Sequence, residues 1–104
     1  MKRNSRDLEQ GLTGLPGADL FVSGLDDLRN GDFTENALLV LIASPRLRGL
    51  GFAVPERTDI ARPYEHQLYS LLEETHGEAA YSRYGSLIRR IVSFSRACDH
   101  RAIR

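Results

Sequence analysis

The side chains of this sequence with the clearest chemical potential are arginines, and they are concentrated near the C-terminus. Of the 14 Lys and Arg residues only Lys2 is a lysine, and residues 81–104 include six arginines and one acid, Asp99. A planar guanidinium binds a carboxylate or a phosphate through two parallel hydrogen bonds, which an ammonium group cannot do. The distribution therefore predicts a basic surface for an acidic protein or for a nucleic-acid backbone.

On a helix these arginines form two ridges. At about 100° per residue, Arg83, Arg90 and Arg101 lie within about 20° of one another, at one border of the apolar stripe. Arg89 and Arg96 form a second ridge roughly 120° away. In a structural interpretation the first ridge forms exposed ion pairs with acids of the preceding helix, namely Glu73, Glu74 and Glu78. In a functional interpretation the ridges bind a partner.

Tyrosines accompany the arginines in the last two predicted helices, at Tyr64, Tyr69, Tyr81 and Tyr84. Tyr84 falls on the apolar stripe, whereas the other three are expected to be partly exposed. Tyrosine and arginine are enriched among the residues that dominate the energy of protein interfaces. The alternative is that Tyr64 and Tyr81 cover the joint between the two helices and bind nothing.

A second candidate anion site is the start of a short helix at Ser44 and Pro45. Its free backbone N–H groups and the nearby side chains of Arg46 and Arg48 would attract an anion. The glycines of this segment follow the helix start rather than precede it, so it matches neither a Walker loop nor a dinucleotide-binding fingerprint. The alternative is a short helix that Ser44 caps, with no ligand.

Patterns for catalysis or metal binding are weak. Glu73 and His76 have the Glu-x-x-His spacing of di-iron bundles, but those sites need a second copy and two further carboxylates. Cys98 falls on the apolar stripe, where a free thiol is typically inert. An enzyme would need a deep pocket with titratable groups around His66 or His76. We therefore expect a protein that is not an enzyme and that has no catalytic residue, metal or cofactor.

Apolar residues at helical spacing predict five helices that position these side chains. They cover residues 18–29, 33–43, 45–50, 63–76 and 78–101. Asn30 and Gly31 are expected to end the first helix, since both tolerate the left-handed conformation common at helix ends. Asp32 and Glu35 match a capping box for the second helix. A loop over 51–62 is expected to be held to the core by its apolar side chains.

Two of these helices have a defining pattern. The helix over 33–43 is apolar on nearly all sides, which predicts the centre of the domain. A buried β-strand is the rival interpretation, but the capping residues and the lack of a neighbouring strand pattern favour a helix. The last helix has a seam of heptad type at Ala80, Tyr84, Leu87, Ile91, Phe94 and Cys98, which Ile88, Val92 and Ser95 are expected to widen.

Composition limits the class of protein further. The 104 residues carry no net charge, which argues against a histone-like coat of nucleic acid. A single cysteine rules out an internal disulfide and a multi-cysteine zinc site. No apolar run approaches the roughly 20 residues of a membrane span, and no apolar core follows the basic N-terminus as in a secretory signal. We expect a cytoplasmic protein that does not bind a membrane.

Together these patterns predict an all-α fold in which residues 1–16 form a flexible tail and residues 17–104 a single compact domain. That domain is a small bundle of about five helices, with a central apolar helix and a long C-terminal amphipathic helix. The expected function is that of an adaptor or regulatory domain of bacterial type that binds another protein or a second copy of itself. The binding residues are predicted to be Tyr81, Arg83, Arg89, Arg90 and Arg96. The alternative is binding of a nucleic-acid backbone through the same helix.

Overall fold

Five α-helices make up the computed structural model, which describes residue 12 and residues 14–102, with side chains up to residue 100. They are α1 (Ala18–Asn30), α2 (Glu35–Ile42), α3 (Ser44–Gly49), α4 (Tyr64–His76) and α5 (Ala80–Ala102). A 3₁₀ turn, Gly77–Ala79, joins α4 to α5. Four helices have eight residues or more, and α3 has six. The described range contains no strand, which confirms the predicted all-α fold.

The second helix lies at the centre of the bundle, as its composition predicts. Its residues Ala37 to Leu41 are at most 2% exposed, and α2 contacts all four other helices. A helix that is apolar on all sides cannot present any face to water without cost, so its neighbours must surround it. The rival β-strand interpretation of this segment is therefore wrong.

The joint between α1 and α2 corrects the predicted capping box. Gly31 ends α1 in the left-handed conformation, and the Asp32 N–H bonds back to the Asp27 carbonyl at 2.8 Å. Because Asp32 is used in this turn, Thr34 caps α2 instead, and its hydroxyl oxygen accepts the Ala37 N–H at 3.0 Å. The helix begins at Glu35, two residues later than predicted.

The start of α3 also differs from the prediction. Ser44 does not cap the helix but is its first residue, and Ala43 takes the cap position. The Ser44 hydroxyl donates to the Leu41 carbonyl at 2.7 Å, so it belongs to the end of α2. Only one residue separates α2 from α3, and this leaves no free turn in which a serine cap could act.

The apolar seam of α5 faces the core. Its buried members are Ala80, Leu87, Ile91, Phe94 and Cys98, with Tyr84 half-buried. Ser95 widens the buried stripe and Ile88 lies at its edge, but Val92 is 39% exposed. The prediction for Val92 is wrong because this residue lies about 120° from the middle of the seam on a regular helix.

Aromatic side chains connect α1, α5 and the loop over 51–62. The Phe21 ring stacks on Phe94 at 4.7 Å between centroids, and Phe52 lies against Phe21 at 4.9 Å. Val54 and Ile60 of the loop are each 7% exposed. The loop is therefore held to the core by its apolar residues, as predicted.

Part of the predicted N-terminal tail lies outside the described residues, namely 1–11 and 13. Of the remainder, Leu12 is buried and Leu15 packs against the core. The Leu15 N–H bonds to the Leu12 carbonyl at 3.0 Å, so a hydrogen-bonded turn leads into α1. Within the described range no helix is both long and apolar enough to cross a bilayer.

Candidate functional site

The exposed side of α5 carries a strip of residues that we call the outer strip, made of Tyr81, Gly85, Arg89, Val92 and Arg96. On a regular helix these positions lie within about 80° of one another. Tyr81 is 78% exposed and Val92 39% exposed, which makes them two of the three large apolar side chains exposed in the described range. The interpretation of Tyr81 as a cover for the helix joint is therefore wrong.

Two arginines of the outer strip are not used to hold the fold. Arg89 and Arg96 are exposed, and neither forms an ion pair with any residue that the structure describes. Acids are absent from the sequence between Glu78 and Asp99. The outer strip is thus a surface that combines free positive charge with exposed apolar area.

Two members of the other arginine ridge, Arg83 and Arg90, have partners that the sequence did not indicate, and the side chain of Arg101 lies outside the described residues. Arg83 Nε lies 3.3 Å from Glu35 Oε1, and Arg90 Nη2 lies 3.1 Å from Asp19 Oδ2. The predicted pairing with Glu73, Glu74 and Glu78 is wrong for these two arginines, because each of them pairs with an acid in the first turn of α2 or α1. Both guanidiniums remain nearly half exposed.

The two arginines of α3 support the surrounding structure. Arg46 Nη2 lies 3.1 Å from Asp99 Oδ2 and so connects α3 to the end of α5. Arg48 donates to the Val54 carbonyl from Nη2 at 2.9 Å and from Nε at 3.2 Å, with a longer bond to the Pro55 carbonyl. These bonds hold the chain that follows α3. The Arg48 guanidinium is therefore directed to the loop and not to the predicted anion site at the start of α3.

A cleft of about 720 Å³ lies at the meeting point of α2, α4 and α5. Glu35, only 21% exposed, lies in the wall of this cleft, and three side chains contact its carboxylate. His76 Nε2 is 3.2 Å from Oε2, Arg83 Nε is 3.3 Å from Oε1, and the Thr75 hydroxyl is 3.5 Å from Oε2. A single carboxylate thus connects three helices.

This cluster changes the predicted role of His76. In the Glu-x-x-His interpretation His76 would act with Glu73, but its imidazole contacts Glu35 of another helix. Among the described residues no group of three or more His, Cys, Asp or Glu side chains could hold a metal ion. His66 is exposed on α4, so the two histidines do not share a pocket. The geometry of Glu35 is that of a structural anchor.

The remaining tyrosines lie between helices. The Tyr69 and Tyr84 rings meet edge to face at 5.6 Å, and burial, with a smaller effect of the Glu65 charge, raises the pKa of Tyr84. Tyr64 is half-buried below the Arg62 guanidinium, 5.4 Å from the ring centroid. Tyr81 is therefore the one tyrosine in the described range that is fully available to a partner.

Sequence reasoning missed Glu35 and Asp19 as partners of the arginines. The separations in the chain are 48 residues for Arg83 and 71 residues for Arg90, so no local pattern links them. One signal was present: Glu35 is the lone acid at the start of an otherwise apolar helix, where a buried charge needs a cation. No protein-family model matches the chain, and neither do curated proteins or solved structures.

Proposed function

We propose that this protein is a binding domain that docks onto another protein through the outer strip of α5. The observation that supports this proposal is the exposure of Tyr81 and Val92 in line with two arginines that form no ion pair with a described residue. Burying exposed apolar area favours association, and tyrosine with arginine is typical of interface hot spots. The arrangement offers no nucleophile beside a base, so we propose binding and not catalysis, with a cytoplasmic protein as the partner.

The charges of the outer strip define the partner. Arg89 and Arg96 are seven residues apart, which is about 10 Å along the helix axis. Val92 lies between them, so the complementary surface has two carboxylates about 10 Å apart with an apolar contact between them. Two copies of the outer strip would bring like charges together, and this favours an acidic partner over a second copy docked strip to strip.

Capture from lysate of the native cell with three immobilised proteins tests the proposal. The proteins are the wild type, Tyr81→Ala and, as a control for loss of an exposed aromatic ring, Phe33→Ala. Phe33 is 47% exposed and lies outside α5. A protein counts as a partner only if both the wild type and Phe33→Ala retain it. Each such protein is then purified, and its affinity is measured by direct titration.

We expect Tyr81→Ala to lower the affinity for that purified partner by about tenfold or more. Arg89→Glu with Arg96→Glu should abolish binding, and the partner should have an acidic surface. The proposal is wrong if each retained protein binds Tyr81→Ala as well as it binds the wild type. Light scattering of the isolated protein reports self-association, and a dimer lost in Tyr81→Ala would make a second copy the partner instead.

A nucleic-acid backbone is the second candidate, favoured by the absence of acids between Glu78 and Asp99. Asp19 and Glu35 offset the charges of Arg90 and Arg83, so Arg89 and Arg96 are the two described α5 arginines whose charge no described acid offsets. Binding through two contacts predicts a slope of log affinity against log salt of about −2 at most. A gel shift at micromolar protein and low salt, lost in Arg89→Ala with Arg96→Ala, would support this candidate against the protein partner.

A further inference from the structure

A small depression between the start of α1 and the middle of α5 has the composition of an anion site. It measures about 340 Å³ and is lined by Pro16, Gly17, Ser86, Arg89, Arg90 and Ser93. The four polar residues follow one another at spacings of three, one and three, so they lie on one side of the helix, within about 100°. Two arginines and two serines therefore line a single cavity.

The opposite wall of the depression is formed by Pro16 and Gly17, and Gly17 offers only main chain. A Cβ on Gly17 would lie 2.5 Å from the Arg90 carbonyl oxygen and 3.1 Å from Phe94 Cβ, so only glycine allows α1 to approach α5 this closely. Gly17 also has a φ of 76°, a conformation that other residues rarely adopt. Gly17 consequently contributes no side chain to this wall, and its neighbour there is Pro16.

The hydrogen-bond donors around the depression are largely unused. Arg89 has no ion pair with a described residue, and Ser86 and Ser93 are exposed without a hydrogen bond to the described part of the chain. Arg90 donates to the Asp19 carboxylate only from Nη2, so its Nε and Nη1 groups remain as further donors. Positive charge exceeds negative charge here by one, counting Arg89, Arg90 and Asp19.

We propose that this depression binds the phosphoryl group of a phosphate monoester. A phosphoryl group offers three oxygens that accept from guanidinium and hydroxyl donors on different sides, which suits two arginines and two serines around one point. A polyanionic strand that extended from this depression toward Arg83 would meet the carboxylates of Asp19 and Glu35, whereas a single phosphoryl group need not extend that far. The site shares Arg89 with the outer strip, but it does not rest on the proposed function, because it uses neither Tyr81 nor Val92 nor Arg96 and the outer strip uses neither Ser86 nor Ser93.

Titration of the isotope-labelled full chain with inorganic phosphate, followed by amide NMR shifts at ionic strength matched with chloride, tests this site. We expect saturable shifts confined to the amides of Gly17, Ser86, Arg89, Arg90 and Ser93. Arg89→Ala should weaken binding by about tenfold, and Ser86→Ala with Ser93→Ala by several-fold. The matched control, Arg96→Ala, removes the same charge from the same helix outside the depression and should leave the affinity unchanged.

Two further probes identify the ligand class. Phenyl phosphate, a monoester, should bind at least as well as inorganic phosphate, and dimethyl phosphate, a diester with one charge, should bind more weakly. Equal binding of the diester would overturn the monoester assignment. Shifts that do not saturate, or that Arg96→Ala reduces as much as Arg89→Ala does, would overturn the site itself. The serine double variant keeps every charge, so it separates a built site from general attraction to a basic helix.

Discussion

Gly24 of α1 lies directly against the main chain of α2 at Asn36, and no side chain fits between the two helices at this point. A Cβ on Gly24 would overlap the Asn36 carbonyl group and lie 2.6 Å from Val40 Cγ2. Close approach of the two backbones allows α2 to be covered completely by α1 on this side. The burial of the central helix therefore depends on a residue that has no side chain.

Replacement of Gly24 with alanine is expected to lower the free energy of unfolding by about 1–3 kcal/mol, because the added methyl group forces α1 away from α2. Gly85→Ala is the matched control within a helix, since its Cβ would meet only the Arg89 Nη1 atom at 3.4 Å. That variant should be neutral or up to about 1 kcal/mol more stable, from helix propensity. Chemical denaturation measures both. A stabilised Gly24→Ala variant would show that the two helices are not in this contact.

A fall in pH is expected to reduce the stability that the loop after α3 contributes to the fold. Hydrogen bonds from Arg57, at 2.8 and 2.7 Å, lower the pKa of Asp59 from 3.8 to about 2. The Arg57 side chain, 12% exposed, also donates to the Asp32 carbonyl at 3.0 Å and so connects the loop to the α1–α2 joint. The stabilising contribution of Asp59 is therefore complete above about pH 4 and is lost as the pH falls toward 2.

Asp59→Asn tests this dependence through unfolding measurements between neutral pH and pH 2. The wild type should be more stable than the variant at neutral pH, and the difference should shrink as the solution is acidified through that window. Glu56→Gln, a neighbouring charge change in the same loop, is the control and should show no such convergence. A difference between wild type and Asp59→Asn that stays constant with pH would contradict the assignment.

Tyr84 is expected to ionise above the ordinary pKa of a tyrosine in an alkaline titration followed by phenolate absorbance. Its pKa lies above the ordinary value of 10.0, mainly because of burial and secondarily because of the Glu65 charge. The folded chain favours the neutral phenol, so this contribution to stability is present below pH 10 and is lost as the pH rises through the raised pKa. Tyr84→Phe should remove this ionisation step. Glu65→Gln should lower the pKa of Tyr84 only part of the way to the ordinary value, because burial remains.

Loss of the Glu35 carboxylate is expected to loosen the contact between α2, α4 and α5. Glu35→Ala should reduce the free energy of unfolding by about 1 kcal/mol, since a mostly buried carboxylate with three neighbours is removed. Asp99→Asn is the control, because its pair with Arg46 is about half exposed on both sides and should contribute less than about 0.5 kcal/mol. A double-mutant cycle with Arg83→Ala gives the coupling energy of that pair, and an unfolding free energy that Glu35→Ala leaves unchanged would exclude Glu35 as an anchor.

Most of the helical layout is determined by the sequence. Gly31 and Gly77 end helices, Pro45 lies in the first turn of one, and the seam of α5 repeats at helical spacing, because these are short-range constraints of backbone geometry and apolar burial. The central place of α2 also follows from its composition. The errors at Asp32 and Ser44 are local, since each residue had a competing hydrogen bond within its own turn.

The tertiary structure decided which arginines are free and which are paired. All four described arginines of α5 have similar local surroundings in the sequence, yet Arg83 and Arg90 meet acids of other helices while Arg89 and Arg96 do not. Likewise, the cavity beside Gly17 exists only because α1 returns to the middle of α5. Ion pairs and cavities depend on distances between segments far apart in the chain, and only the packed core sets those distances.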